Sequence, residues 1–149
     1  TGMGSDISKD ALLIAEGNAR LNNVSGRIKF IRSDLYENID KRKKFDHIVS
    51  NPPYIRTSDI EKLMPEVKDH DPYGALDGGE DGLLFYRRIT EDAKEHLFKN
   101  GTLSFEVGID ESDEVSHIMK DKGFTDITVI KDYSGNNRVV SGRSGESFK

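Results

Sequence analysis

Four consecutive residues, Asn51-Pro52-Pro53-Tyr54, carry the polar groups of this chain that are best suited to chemistry. Asn51 offers a side-chain carbonyl, and Pro52, which has no N–H, offers a backbone carbonyl whose direction its ring restricts. Two such acceptors can hold both hydrogens of a planar NH2 group, and the nitrogen lone pair then points out of that plane. Tyr54 adds a flat ring for packing and a hydroxyl for orientation.

The turn contains no strong nucleophile and no obvious base, and this limits the reactions that it can support. It suits the attack of a weakly nucleophilic planar nitrogen on a strong electrophile, with catalysis by positioning and by exclusion of water. A methyl group on a sulfonium is such an electrophile. From the residue types alone, a Pro-Pro turn that merely ends a strand remains an alternative.

The element that must position this turn is the segment directly before it. Phe45, Ile48 and Val49 predict a short buried strand, and two prolines in succession then prevent the sheet ladder from continuing. Asn51 is therefore expected where a strand stops. In open α/β sheets, ligands bind beyond the carboxyl ends of the strands, so a rigid polar turn at that place predicts a functional site.

The tetrapeptide resembles the signature of S-adenosylmethionine-dependent methyltransferases that act on planar nitrogens. Residues 65–70, 75–83 and 85–88 extend the likeness, and together these motifs closely resemble the HemK/PrmC family. The resemblance covers residues 4–143. It implies an enzyme of translation termination that methylates the glutamine side-chain amide in the Gly-Gly-Gln loop of bacterial peptide chain release factors.

The resemblance also implies roles for individual residues. Asn51, Pro52 and Tyr54 would be catalytic, and with Pro53 they would bind the substrate amide. The cofactor would be S-adenosylmethionine, with Asp6 accepting from the ribose hydroxyls, Asp34 from the adenine amino group and Leu35 packing on the ring. Asn51 would complete these cofactor contacts, and no metal is expected.

Asp6 and Asp34 also have ordinary structural explanations. Asp6 precedes a helix predicted from Ser8 to Asn22-Asn23, where a carboxylate favours the helix dipole. Asp34 follows a strand predicted over 27–32 and can belong to a plain turn.

Composition and charge narrow the class of partner. The net charge is −5, whereas a protein that grips nucleic acid through phosphates needs clustered Lys and Arg. The only dense basic run, residues 41–44, is interpreted as a solvated connector. An acidic protein suits a protein substrate, such as the release factor that the resemblance implies, or a nucleic-acid complex whose basic surface is provided in trans. Neither direct nucleic-acid contact nor membrane contact is expected. There is no cysteine and no long apolar run, so a cytoplasmic location is expected.

Two other functions stay open at this stage. The same turn can serve a methyltransferase that acts on an exocyclic amino group of a DNA or RNA base. The chain can also be an interaction module that kept only the scaffold.

The remaining pattern predicts a substrate-recognition loop over 55–82 that contains His70, and a helix over 83–98 closed by Asn100-Gly101. A strand over 102–107 and a helix up to 122 follow. The last two predicted strands, 126–131 and 138–141, form an antiparallel hairpin.

The predicted fold is α/β, a Rossmann-like class I methyltransferase sheet that ends in this hairpin. The family begins with a strand and a Gly-rich turn that have no counterpart here, so we expect the first strand and most of the second to be lacking. Residues 1–3 are expected to be extraneous, 4–143 a partial catalytic domain and 144–149 a tail. Such a part-length enzyme should bind cofactor weakly, show little activity alone and self-associate through an exposed sheet edge.

Overall fold

The computed structural model describes residues 1–64 and 72–145. The chain forms two compact units, Thr1–Lys43 and Lys44–Lys149. The catalytic domain expected over 4–143 therefore runs through both units. His70 and the motif residues 65–70 lie outside the described residues.

The first unit is a strand-helix-strand motif. Its elements are β1 (Gly2–Asp6), α1 (Lys9–Leu21) and β2 (Ile28–Arg32). The two strands pair in parallel over five positions, from Gly2 opposite Ile28 to Asp6 opposite Arg32. Gly2 and Met3, which were expected to be extraneous, therefore form ladder pairs with Ile28 and Lys29 of β2.

Helix α1 begins and ends where the sequence predicts. The Ser8 hydroxyl accepts a hydrogen bond from the Ala11 N–H at 3.2 Å, which satisfies one of the free donors of the first turn. Asn22 is the C-cap, and Asn23 follows in the left-handed region with φ 56°. Local side-chain chemistry thus fixes both ends of the helix.

The second unit contains a four-stranded mixed sheet with helices along it. Its elements are β3 (Phe45–Ser50), α2 (Thr57–Ile60), α3 (Tyr73–Leu76), α4 (Leu84–His96), β4 (Leu97–Glu106), α5 (Ser112–Asp121), β5 (Phe124–Lys131) and β6 (Asn137–Ser144). The strand order is β3-β4-β6-β5, with β3 parallel to β4 and the other pairs antiparallel. The predicted terminal hairpin, β5 and β6, is confirmed, and β6 includes Ser144 of the expected tail.

The core of this unit lies between β4, β6 and the helices. Its fully buried apolar side chains are Tyr86, Ala93, Leu103, Phe105, Val107, Val115, Met119 and Val140. They come from one face of α4, from alternate positions of β4 and the residue after it, from the inner face of α5 and, for Val140, from β6. Their burial fixes the carboxyl end of β4, which lies beside the end of β3.

Helix α4 differs from its prediction in length and in orientation. It ends at His96, because Leu97 already pairs with Phe45 and begins β4. The predicted stop at Asn100-Gly101 instead falls within β4 at a register shift, where Asn100 has φ 65°. The apolar spacing predicts Leu84, Ile89 and Ala93 on the inward face. Ile89 and Ala93 are buried, whereas Leu84 is 44% exposed and Tyr86 is fully buried.

Strand β3 is less buried than predicted. Phe45 and Ile48 are only partly buried, and Val49 is 78% exposed. β3 is the terminal strand of its sheet and has one strand neighbour there, β4. Self-association through such an edge stays a prediction.

Within the described ranges, no helix combines the length and apolar character that crossing a membrane requires.

Candidate active site

The turn formed by Asn51 to Tyr54 leaves β3 at its carboxyl end. Asn51 is exposed, Pro52 is buried, and Pro53 and Tyr54 are partly buried. Ser50 lies opposite Phe105 in the parallel β3–β4 pair, so the turn lies at the same sheet edge as the end of β4. Within the described part of the second unit, the Asn51 side chain has no hydrogen-bond partner. Its amide is therefore free to engage a ligand.

A short segment, residues 76–79, holds the exit of this turn, and we call it the clamp. The Ile55 N–H donates to the Leu76 carbonyl at 3.0 Å, and the Gly78 N–H donates to the Ile55 carbonyl at 2.8 Å. The Thr57 N–H donates to the Gly79 carbonyl at 3.0 Å. These bonds form a parallel bridge between Ile55 and Asp77. The 75–83 motif thus supports the turn through its backbone.

Asp77 secures the clamp through its side chain. One carboxylate oxygen accepts from the Thr57 hydroxyl at 2.7 Å and from the Gly79 N–H at 3.0 Å. The Thr57 hydrogen bond is the main cause that lowers the pKa of Asp77, and the Gly79 N–H adds to it. Asp77 was not among the site residues predicted from the sequence. Asp-Gly-Gly signals a turn, but the Thr57 contact spans twenty residues and leaves no local signal.

Two glycines let this segment approach Tyr54. A β-carbon on Gly78 would lie 2.7 Å from the Tyr54 Cα. A β-carbon on Gly82 would lie 2.6 Å from the Tyr54 carbonyl oxygen, and Gly82 has φ +80°. Neither position accommodates a larger residue without displacing the turn. The glycines of the 75–83 motif therefore determine where Tyr54 lies.

Tyr86 and Glu111 lie beside the turn, and the sequence analysis named neither as a site residue. The Tyr86 hydroxyl donates to the Glu106 carbonyl at 3.0 Å and to Glu111 Oε2 at 3.3 Å, and its ring meets Phe105 edge-on. The Gly108 N–H also donates to Glu111 Oε2, at 3.1 Å. Burial is the main cause that raises the pKa of both Tyr86 and Glu111.

Asp81 and Arg87 join the motif to helix α4. Asp81 accepts from the Leu83 N–H at 3.1 Å and pairs with the Arg87 guanidinium, at 3.1 Å for one of its nitrogens. Arg87 thereby holds the residues before the helix in place. A pocket of about 650 Å³ opens beside this pair. Its lining residues are Arg56, Gly79, Glu80, Asp81, Leu84 and Arg87.

In the first unit, Asp6 is the last residue of β1, and Asp34 and Leu35 follow the carboxyl end of β2, its parallel neighbour. The Ser33 N–H donates to the Asp6 carbonyl at 3.0 Å and joins these strand ends. One oxygen of the Asp6 side chain accepts from the Ser8 N–H at 2.7 Å. Leu35 has φ 49° and is partly buried. Carboxylates at such an edge, with an apolar side chain nearby, fit the polar hydrogens and flat ring of an adenosine.

The described residues contain no cluster of His, Asp and Glu side chains that is suited to a metal ion.

Comparison with known proteins gives the family. The family described as Methyltransferase small domain matches residues 3–67. The release factor glutamine methyltransferase of Agrobacterium fabrum is 50% identical over 143 residues, 96% of this chain. The corresponding enzyme of Clostridium acetobutylicum is 48% identical over 91% of the chain. The chain is homologous to release factor glutamine methyltransferases, as the resemblance to the HemK/PrmC family predicted.

The chain spans about half the length of these HemK/PrmC relatives, 49% and 48% respectively. Solved structures show the same fold. A methyltransferase from Pyrococcus furiosus matches 97% of this chain with a TM-score of 0.69 at 20% identity, over 62% of its own length. The release-factor-specific protein-(glutamine-N5) methyltransferase of Alicyclobacillus acidocaldarius matches 97% with a TM-score of 0.52 at 19% identity, over 80% of its own length. The predicted fold class, part of a Rossmann-like methyltransferase domain, is confirmed.

Proposed function

We propose that this chain is part of an enzyme that transfers a methyl group from S-adenosylmethionine to the glutamine side-chain amide in the Gly-Gly-Gln loop of bacterial release factors. The observation that carries the proposal is the clamped turn with the exposed Asn51 amide at a sheet edge. Relatives at 48–50% identity that are named release factor glutamine methyltransferases support the substrate.

The turn would act by holding the target nitrogen. Asn51 Oδ1 and the Pro52 carbonyl would accept the two hydrogens of the substrate NH2, while Tyr54 packs its flat face and Pro53 stiffens the corner. An amide nitrogen is a weak nucleophile, so fixed orientation and exclusion of water contribute most to the rate. Both oxygens would also stabilise the positive charge on the nitrogen while its C–N bond forms and the methyl–sulfur bond breaks to leave a neutral thioether, until one N–H proton is released.

S-adenosylmethionine, when bound, supplies an electrophilic methyl carbon. In this proposal Asp6 and Asp34 would hold the ribose and adenine groups, and Leu35 would pack on the ring. The Asp6 oxygen that does not accept from Ser8 is available for a hydroxyl.

The pocket beside the clamp offers space for the substrate segment that flanks the glutamine. It contains two arginines and two acidic residues, and Leu84 adds an apolar surface that is 44% exposed. Such a mixed lining suits a polypeptide better than a phosphate backbone, in agreement with the net charge of −5. Methylation of a DNA or RNA base is therefore the less favoured alternative. The cytoplasmic location stays a prediction.

The test is methyl transfer from labelled S-adenosylmethionine to a purified release factor. The full-length wild-type protein should label the intact Gly-Gly-Gln protein and leave a substrate with Gln replaced by Ala unlabelled, whereas this chain alone should label either one weakly or not at all. An oligonucleotide tested in parallel should stay unlabelled. Transfer to the oligonucleotide and not to the release factor would contradict the proposal. Failure to bind the cofactor in any form of the protein would favour an interaction module.

A further inference from the structure

Glu111 connects three parts of the second unit that do not adjoin in sequence. It lies between the end of β4 and the start of α5, and it is partly buried. Its Oε2 accepts from the Gly108 N–H at 3.1 Å and from the Tyr86 hydroxyl at 3.3 Å. Its Oε1 borders Gly82, where a β-carbon would lie 2.6 Å from it.

These contacts bring Glu111 to both sides of Tyr54. A β-carbon on Gly82 would lie 2.6 Å from the Tyr54 carbonyl oxygen as well as 2.6 Å from Glu111 Oε1. Both oxygens therefore lie next to Gly82. A β-carbon on Gly108 would lie 3.4 Å from Cδ2 of the Tyr54 ring. Glu111 is therefore connected to the Tyr54 backbone through Gly82 and to the Tyr54 ring through Gly108.

The Gly108 contact is the one that depends most on Glu111. Tyr86 has a single hydroxyl proton, and its shorter bond, 3.0 Å, goes to the Glu106 carbonyl. The Gly108 N–H, in contrast, donates to Glu111 at the first residues after the strand. Removing the acceptor would leave this amide unsatisfied and release the backbone on which the Tyr54 ring packs.

We propose that Glu111 is a positioning residue of the methyl-transfer site, which fixes Tyr54 by anchoring the Gly108 backbone and filling the space beside Gly82. The expected effect on kcat rests on the proposed function. The expected loss of conformational order at Gly108 and Tyr54 does not. The role belongs to the acceptor oxygen and not to the charge, because burial disfavours the charged form.

The test compares Glu111→Gln with Glu111→Leu. Glutamine keeps an acceptor oxygen of the same reach, whereas leucine fills a similar volume without one. Glu114→Leu is the matched control, because Glu114 is exposed on α5 close to Glu111. For methyl transfer to a release factor, Glu111→Leu should lower kcat about 10- to 100-fold with the KM for S-adenosylmethionine changed less than about threefold. Glu111→Gln and Glu114→Leu should stay within about threefold of wild type.

Two results would overturn the inference. Glu111→Leu with the wild-type kcat would show that the Gly108 anchor does not matter, and Glu111→Gln as impaired as Glu111→Leu would show that the charge is required. A purely structural role would reduce the folded fraction and leave kcat per folded molecule unchanged.

Amide exchange at Gly108 separates this inference from the proposed function. Exchange should accelerate at least about tenfold in Glu111→Leu and stay near wild type in Glu111→Gln. If wild type transfers no methyl group, the proposed function fails while exchange still decides the inference. Unchanged exchange in Glu111→Leu would refute it whether or not the protein is active.

Discussion

Gly82 approaches Tyr54 so closely that a β-carbon at position 82 would lie 2.6 Å from the Tyr54 carbonyl oxygen. Gly82 also has φ +80°, in the left-handed region that side chains disfavour. Both the positive φ and the short distance to Tyr54 therefore favour glycine at position 82. The turn that carries Asn51 therefore depends on a residue that lies well beyond it in sequence.

Gly82→Ala should lower the free energy of unfolding by more than the backbone strain of a positive φ would lower it alone. Gly135→Ala is the matched control, since Gly135 has φ +87° and nothing within 4 Å of its β-carbon position. We expect about 1 kcal/mol lost for Gly135→Ala and about 1–3 kcal/mol more for Gly82→Ala, because the methyl group meets the turn. Denaturant unfolding measures both values. Equal losses would mean that the turn moves aside without cost.

Asn51→Ala should abolish methyl transfer and leave the fold intact. Its side chain is exposed and makes no hydrogen bond within the described second unit, so folding does not depend on it. Loss of an acceptor for the substrate NH2 should lower kcat/KM at least about 100-fold. Asn18→Ala, an exposed position on α1, is the control and should keep full activity. Turnover of Asn51→Ala close to wild type would exclude its assigned role.

Asp6→Asn should weaken cofactor binding without unfolding the first unit. Asparagine keeps an oxygen for the Ser8 N–H and loses the second carboxylate oxygen that would accept from a ribose hydroxyl. We expect about a tenfold loss of affinity for S-adenosylmethionine by calorimetry. Asp10→Asn removes the same charge from the first turn of α1 and should change the affinity little. Equal effects of the two variants would assign the loss to the helix dipole.

Asp77 should make the clamp sensitive to acid. Its pKa lies below the ordinary value of 3.8 in the folded protein, mainly because of the Thr57 hydroxyl. Its contribution to stability is therefore complete above 3.8 and is lost as the pH falls from 3.8 through the lower folded pKa. The difference in unfolding free energy between wild type and Asp77→Asn should shrink over this range.

Asp92→Asn, at an exposed position of α4, is the control for Asp77. It serves as the reference for removing one exposed carboxylate and is measured over the same pH range. The prediction would be contradicted if the difference in unfolding free energy between wild type and Asp77→Asn stayed constant with pH. The Thr57 hydrogen bond would then stabilise the protonated and ionised forms of Asp77 equally.

The terminal hairpin and α1 could be predicted because their signals are local. Ser8 begins α1 and Asn22 ends it through contacts within a few residues. The end of α4 could not be predicted in this way. Leu97 is outside the helix because it pairs with Phe45. Asn100-Gly101, whose residue types predict a helix end, lies within β4 at a register shift.

The sequence by itself determined the chemistry of the turn, because the acceptors of Asn51 and Pro52 and the stiffness of two prolines are properties of adjacent residues. Tertiary structure alone decided what holds that turn. Thr57 and Asp77 are twenty residues apart, and Tyr86 and Glu111 are twenty-five apart, so no local pattern connects them. Packing against β4 determined the buried face of α4. Helix propensity and apolar periodicity predict that a helix forms, but they do not identify the element against which it packs.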